Sequence, residues 1–364
     1  MNRREAFMAG LGAAAAFAAP GALAQARRAS VQDARKLQDS APLVEGLDGS
    51  TLNDEYLAKL EAAGLDVICQ SRGGFDSFVE LHNFLDRHPD RIVQALTVRD
   101  IRAANKAGKI AHVSGWQSAE FLVRDGDPVM PAIGNLRGYK QLGLRIVGLV
   151  YNVAGPFGGG SLDPDVGLTR AGKRLVEEIH KERLVLDVGG HTAEATSFGA
   201  LEISKGMPVI CSHTNLRSKV DNARNMTDKL IEAIAATGGV IGLTKVNDFH
   251  ARVRNSPEPV TAQVGIEKHL DQYDYMKKLV GVDHIALGSD FMWGRKDLVA
   301  IIPELWPGDV YSNNPPWFMV KDTETVTEYP NVTKGLMERG WTDEEIRKVL
   351  GGNLLRVFEK IWGA

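Results

Sequence analysis

The chain has 364 residues, 44% of them hydrophobic, and a formal charge of -3. That apolar content is enough for one large barrel or two ordinary domains. The charge balance gives no basic face for nucleic acid, and past the first residues no apolar run is long enough to span a bilayer, so a small soluble ligand is the expectation.

The amino terminus reads as a separate object. Arg3-Arg4 precede Phe7-Met8, a run dominated by Ala and Gly extends to Ala19, and Ala22-Leu23-Ala24 supplies a small-residue cleavage pattern. Residues 1–24 are expected to be an export signal, either twin-arginine or ordinary secretory, that directs the protein to the periplasm. Residues 25–364 then form one domain, with no stable membrane span once the signal is removed.

Downstream, apolar strand patterns alternate with amphipathic helix patterns almost to the end. Strand-like runs fall at 65–69, 91–96, 144–149, 184–188, 208–212, 239–243 and 285–288, and helical spacing recurs at 168–183, 192–205 and 227–237. The alternation predicts a parallel sheet, and its length predicts closure into a (β/α)8 TIM-type barrel. A doubly wound open sheet is the competitor, but no Gly-x-Gly-x-x-Gly turn supports a dinucleotide-binding version of it. Cys69 and Cys211 lie in apolar strand-like runs and read as unbridged buried thiols.

Two features near the carboxyl end complete the pattern. The stretch 306–329, with Trp306, Pro307, Pro315, Pro316, Trp317 and Phe318, suits a loop over the barrel mouth or, equally, a packed surface crossing. Thr342-Asp343-Glu344-Glu345 is a capping box, and the helix it opens is expected to end before Gly351-Gly352.

Three of the strand-like runs deliver a polar group at their carboxyl end: His191, His213 and Asp290. Barrel enzymes keep their chemistry at that end. Two imidazoles from neighbouring strand ends can converge on one zinc ion. Any single histidine is more often just a hydrogen-bonded core residue, but two at equivalent positions together with Asp290 favour a site.

The whole region from Tyr151 to the carboxyl terminus resembles the membrane dipeptidase (renal dipeptidase, peptidase M19) family, and Gln25 to Lys140 matches it far less well. The matching strings include Tyr151-Asn152, Gly167-Leu168-Thr169, His191-Thr192, the run from Pro208 to Asn215, Ala223-Arg224-Asn225, Gly288-Ser289-Asp290-Phe291 and Gly351-Gly352-Asn353. The resemblance implies a (β/α)8 barrel of the metal-dependent hydrolase kind, with two zinc ions and a small peptide or amide substrate. It places two metal ligands on His191 and His213, a substrate-carboxylate clamp on Arg224 and the proton-handling acid on Asp290. Tyr151 falls where the family has a histidine that polarises the scissile carbonyl, and Asn152 falls near the substrate. The family's relatives are often dimers, so a homodimer is a further expectation.

The chain departs from the family pattern where the first metal would bind. The family's Asp-Gly-His-Asn-Asp corresponds to Glu45-Gly46-Leu47-Asp48-Gly49, so a histidine and an aspartate ligand are replaced by side chains with no donor atom. The bridging glutamate falls on Gln117, a neutral amide that brings no charge to offset two cations. Asp48, Glu45 and Glu120 are the residues nearby that could substitute, although a one-residue shift along a strand turns Asp48 to the other face. The leading expectation is therefore an exported dipeptidase-like hydrolase using one zinc ion. The alternative is a non-catalytic or repurposed member that binds a small carboxylated ligand or performs a different tailoring reaction.

Overall fold

The computed structural model describes residues 28–123, 131–306, 310–311 and 317–363. The segment read as an export signal lies outside them, as do Pro307, Pro315 and Pro316. Nine parallel strands form one sheet: β1 (Val44–Asp48), β2 (Val67–Ser71), β3 (Ile92–Gln94), β4 (Ile110–Trp116), β5 (Leu144–Gly148), β6 (Val185–Asp187), β7 (Ile210–Thr214), β8 (Val240–Leu243) and β9 (Ile285–Leu287). Eight of them follow the order β1-β2-β4-β5-β6-β7-β8-β9, and short β3 pairs with the amino-terminal half of β4. The ends of this path meet through a parallel bridge between Asp48 and Phe291 and a hydrogen bond from the Asp290 N–H to the Leu47 carbonyl. The sheet thus closes into the expected barrel.

Helices alternate with the strands because local signals start and stop them. The helix α1 (Val31–Gln38) opens on a Ser30 capping box, and α2 (Asp54–Ala63) is capped by Asn53 and stopped by Gly64 at φ 70°. Further round the barrel run α3 (Phe75–Arg87), α4 (Val98–Lys106), α5 (Leu136–Gln141), α6 (Arg170–Lys181), α7 (Glu194–Ile203), α8 (Asp228–Ala236) and α9 (Ile266–Leu279). The carboxyl-terminal part adds α10 (Lys296–Leu305), α11 (Tyr329–Glu338), α12 (Asp343–Arg347) and α13 (Asn353–Trp362). No helix among the described residues is long and apolar enough to cross a membrane.

The interior explains which end of the barrel is open. Val44, Val67, Ala111, Ile146, Val185, Ile210, Val240 and Ala286, one from each of the eight path strands, cluster together with Leu354, Leu355, Val357 and Phe358 of α13. Side chains from every strand can meet only inside the barrel, and α13 plugs the floor beneath them. The Thr342 capping box is present, and helical geometry breaks at Gly351, whose φ of 176° and ψ of -21° kink the chain between the segment that α12 opens and α13. Gly351 makes this possible, since a Cβ there would lie 2.6 Å from the Pro42 carbonyl oxygen. Cys69 and Cys211 are buried free thiols. In the proline-rich stretch, the Asn247 N–H donates to Phe318 O and the Val320 N–H donates to Lys245 O, tying residues 318–320 across the segment that follows β8.

Candidate active site

His191 and His213 reach the same point. Both rings are fully buried, 4.9 Å apart between centroids. The Nδ1 of His191 lies 2.7 Å from Asn152 Oδ1, an acceptor, and the Nδ1 of His213 lies 2.8 Å from Ser212 Oγ. With the proton on Nδ1 in each ring, both Nε2 lone pairs are free, and both point at one group. Nη2 of Arg224 stands 3.1 Å from His191 Nε2 and 3.0 Å from His213 Nε2. A guanidinium donates but never accepts, so this pairing fixes the neutral Nδ1–H tautomers. Burial, reinforced by the Arg224 charge, holds both imidazoles well below their usual range of protonation.

The remaining groups close round this pair. The side chain of Gln117 contacts His191 Nε2 at 2.6 Å through the atom placed as Oε1; with that ring nitrogen unprotonated, the amide must present its NH2 there instead. Tyr151 stacks on the His191 ring, with centroids 3.8 Å apart. Asp290, at the end of β9, is buried, and burial pushes its carboxyl up to about 6 against the opposing pull of Arg224. Asn152 and Asp290 both sit at φ 60°, a region that non-glycine residues rarely enter. Two such residues at strand ends of one pocket fit the clustering of backbone strain at functional sites.

Arg224 reaches its position through the loop after β7. That loop folds back by pairing Leu216 with Met226, and the Arg224 N–H donates to Asn222 Oδ1. The guanidinium packs over Phe249 at 5.1 Å. Gly190 allows the approach, because a Cβ there would lie 2.9 Å from Nη1 of Arg224. Nε and Nη1 of Arg224 find no hydrogen-bond partner among the described residues.

The structure thus gathers His191, His213, Gln117, Tyr151, Asn152, Arg224 and Asp290. Asn152 is fully buried and orients His191. Arg224, only 1% exposed, is engaged with the two imidazoles and also lines a neighbouring cavity of about 380 Å³. The other candidates point elsewhere. The Asp48 carboxylate accepts hydrogen bonds from Tyr56 Oη and the Ser50 N–H, on the side of β1 facing α2. Glu45 Oε1 accepts from the Leu47 and Ser289 N–H groups, and burial, then Asp48, pushes this carboxyl up to about 7. Glu120 is exposed.

A two-ion metal centre does not fit this donor set. Among the described residues no three His, Cys, Asp or Glu side chains are grouped so as to hold a metal ion. Leu47 and Gly49 offer no donor, Gln117 no charge, and a guanidinium already occupies the point on which the imidazoles converge.

Sequence reasoning missed part of the cavity beside this cluster. A space of about 240 Å³ is lined by Gln117, Tyr151 and Asp290 together with Arg72, Arg295, Met292, Tyr311 and Phe318. Arg72 follows β2 immediately, so the strand-end logic that singled out His191 would have found it. No sequence signal marks Arg295. Phe318 at this cavity places that part of the 306–329 stretch over the barrel mouth.

A closed parallel barrel with imidazoles and a carboxylate at the carboxyl ends of its strands is the architecture of the TIM-barrel metallohydrolases. The profile of the family described as membrane dipeptidase (peptidase family M19) matches residues 74–300 and 317–362, and the chain belongs to that family. The family's members are metal-dependent dipeptidases. The dipeptidase verJ of Clonostachys rogersoniana is 26% identical over 291 residues, covering 77% of this chain and 63% of that protein. This chain therefore spans somewhat under two thirds of that relative's length. Among solved structures, an amidohydrolase from Pseudomonas aeruginosa is 25% identical with a TM-score of 0.79, covering 91% of this chain and 99% of that one. The probable dipeptidase PvdM from Pseudomonas aeruginosa is 19% identical with a TM-score of 0.72, covering 91% and 98%, a likeness of fold.

Proposed function

We propose that this chain is a repurposed member of the dipeptidase family, which takes a small carboxylated peptide or amide into the cavity over Asp290 without assembling the two-ion centre. The observation that carries this reading is the bridge from Arg224 to both imidazoles. A guanidinium is permanently charged and held in place by its loop, so a divalent ion arriving at the same point meets a like charge. Asp290, protonating near pH 6, is the group in the cavity suited to exchange a proton with a bound ligand.

A second reading has its own support. The two Nε2 lone pairs converge, and both Nδ1 atoms are anchored, which is how paired histidines are prepared for a metal. If Arg224 withdraws, one zinc ion on His191 and His213 gives a mononuclear hydrolase. Elemental analysis of protein purified without chelators, with dipeptide hydrolysis and calorimetric dipeptide binding measured on the same sample, decides between them. Well under one equivalent of metal, with dipeptide binding and no chelator-sensitive hydrolysis, is expected. One equivalent with chelator-sensitive hydrolysis supports the second reading, and two equivalents overturn both.

A further inference from the structure

Two arginines line the cavity over Asp290 on the side where the first strand has lost its metal-ligand side chains. Arg72 is held in place at the end of β2: its Nε donates to Ser71 O at 3.1 Å and its Nη2 to Gln70 Oε1 at 2.7 Å. Gln70 is itself fixed, donating through Nε2 to Ser50 O at 2.8 Å. Arg295 donates through Nη1 to the carbonyl of Gly49 at 3.2 Å. Neither guanidinium is within ion-pair distance of a carboxylate among the described residues, and each keeps N–H groups unspent. Burial lowers Arg72 to about 10, with Asp48 and then Glu80 pulling the other way and the Arg295 charge adding to the drop.

Among the described residues, the charged lining of this cavity is therefore Arg72 and Arg295 against Asp290. Two like charges left near each other, one of them braced by a buried glutamine, favour an anion between them. Forked guanidinium donors match the two oxygens of a carboxylate.

Taking the cavity as the ligand site, as proposed above, we infer that Arg72 and Arg295 form a subsite for a second acidic group, so that the preferred ligand is a peptide or amide with two carboxylates. The same donors could take a phosphate, but a peptide-type ligand presents its second negative charge as a side-chain carboxylate. Aspartyl or glutamyl residues supply that group. Arg72 and Arg295 are specificity residues in this assignment, since they face the ligand's far end and leave the imidazole pair alone.

The test compares two dipeptides of nearly equal shape, Ala-Glu and Ala-Gln, by isothermal calorimetry on the wild type and on Arg72→Gln and Arg295→Gln. The wild type is expected to bind Ala-Glu roughly tenfold more tightly than Ala-Gln, as one charge-assisted hydrogen-bonded pair supplies. Each substitution is expected to erase most of that preference by weakening Ala-Glu far more than Ala-Gln, a split that a purely structural role would not produce. Arg295 is exposed, so its replacement keeps the test valid should Arg72→Gln fail to fold. Equal binding of the two dipeptides by the wild type, or a preference that survives both substitutions, overturns the subsite alone. The subsite is equally overturned if inorganic phosphate binds through both arginines while Ala-Glu gains nothing. Failure to bind either dipeptide overturns the broader reading of the cavity as a peptide site, and the subsite with it.

Discussion

The sulfur of Met292 stands 2.5 Å from the position a Cβ on Gly49 would take. The thioether fills the space beside the first strand where a ligand aspartate would have to project. Replacing Gly49 with Asp is therefore expected to destabilise the protein by about 1–3 kcal/mol through overpacking. Adding Met292→Ala should recover part of that loss, because the methionine is flexible and its removal opens the room. Urea melts of the two single variants and the double variant measure this coupling, and strict additivity would show that the two side chains do not compete.

Arg224 invites the complementary test at the other half of the site. Replacing it with Met removes the charge between the two imidazoles but keeps apolar bulk against Phe249. The variant is expected to bind zinc at least about tenfold more tightly than the wild type, since a metal no longer has to displace a cation from the shared point. A chromogenic chelator competing for zinc reads the difference. Unchanged affinity would mean that the guanidinium does not exclude the ion.

Those two positions also show what the sequence could and could not disclose. The runs ending in His191, His213 and Asp290 were legible because each strand carries its own apolar signal and its polar terminus within a few residues. The missing ligands at Leu47 and Gly49 were legible for the same reason. What replaced them was not. Met292 and Arg295 come from the far end of the barrel path, Arg224 from a loop that must fold back, and their meeting is a property of closure. Strand β4 is also hidden in the sequence, because His112, Ser114 and Gly115 interrupt its apolar pattern although all three are buried.

The pH dependence of stability follows from Asp48. Burial raises this carboxyl from 3.8 to about 6 even though Tyr56 and Ser50 donate to it. A group whose pKa is higher in the folded state than in the unfolded state binds its proton more tightly when folded, so its contribution is complete below about pH 4 and is lost as pH rises through about 6. A rise of that size corresponds to a stability change on the order of 3 kcal/mol across the window. The difference in unfolding free energy between wild type and Asp48→Asn, measured from pH 4 to 7, should show that trend. A difference independent of pH would rule it out.

A local device predicts a smaller effect. The side chain of Thr342 accepts from the Glu345 N–H at 3.2 Å while Glu345 Oε2 accepts from the Thr342 N–H at 2.8 Å, closing the start of α12. Because α12 leads across the kink at Gly351 into the helix that plugs the barrel floor, Thr342→Ala should cost about 1 kcal/mol in equilibrium unfolding and leave ligand binding untouched. A loss of binding of similar size would tie the cap to the site and contradict the separation.

Asn152 sets the state of the imidazole pair. Its Oδ1 is an acceptor with the Nδ1 of His191 at 2.7 Å, so the ring must carry its proton there and keep Nε2 bare. Nitrogen chemical shifts of the two rings are expected to report neutral Nδ1–H tautomers across pH 5 to 8, since burial keeps both from protonating. Asn152→Gly tolerates φ 60° without strain but deletes the acceptor, so it should retain more stability than Asn152→Ala and still release His191 into a mixture of tautomers. His213, anchored by Ser212, should stay unchanged in both variants. An Nε2–H signal for either ring in the wild type would be incompatible with a guanidinium shared between them, because the bare nitrogens are what Arg224 binds.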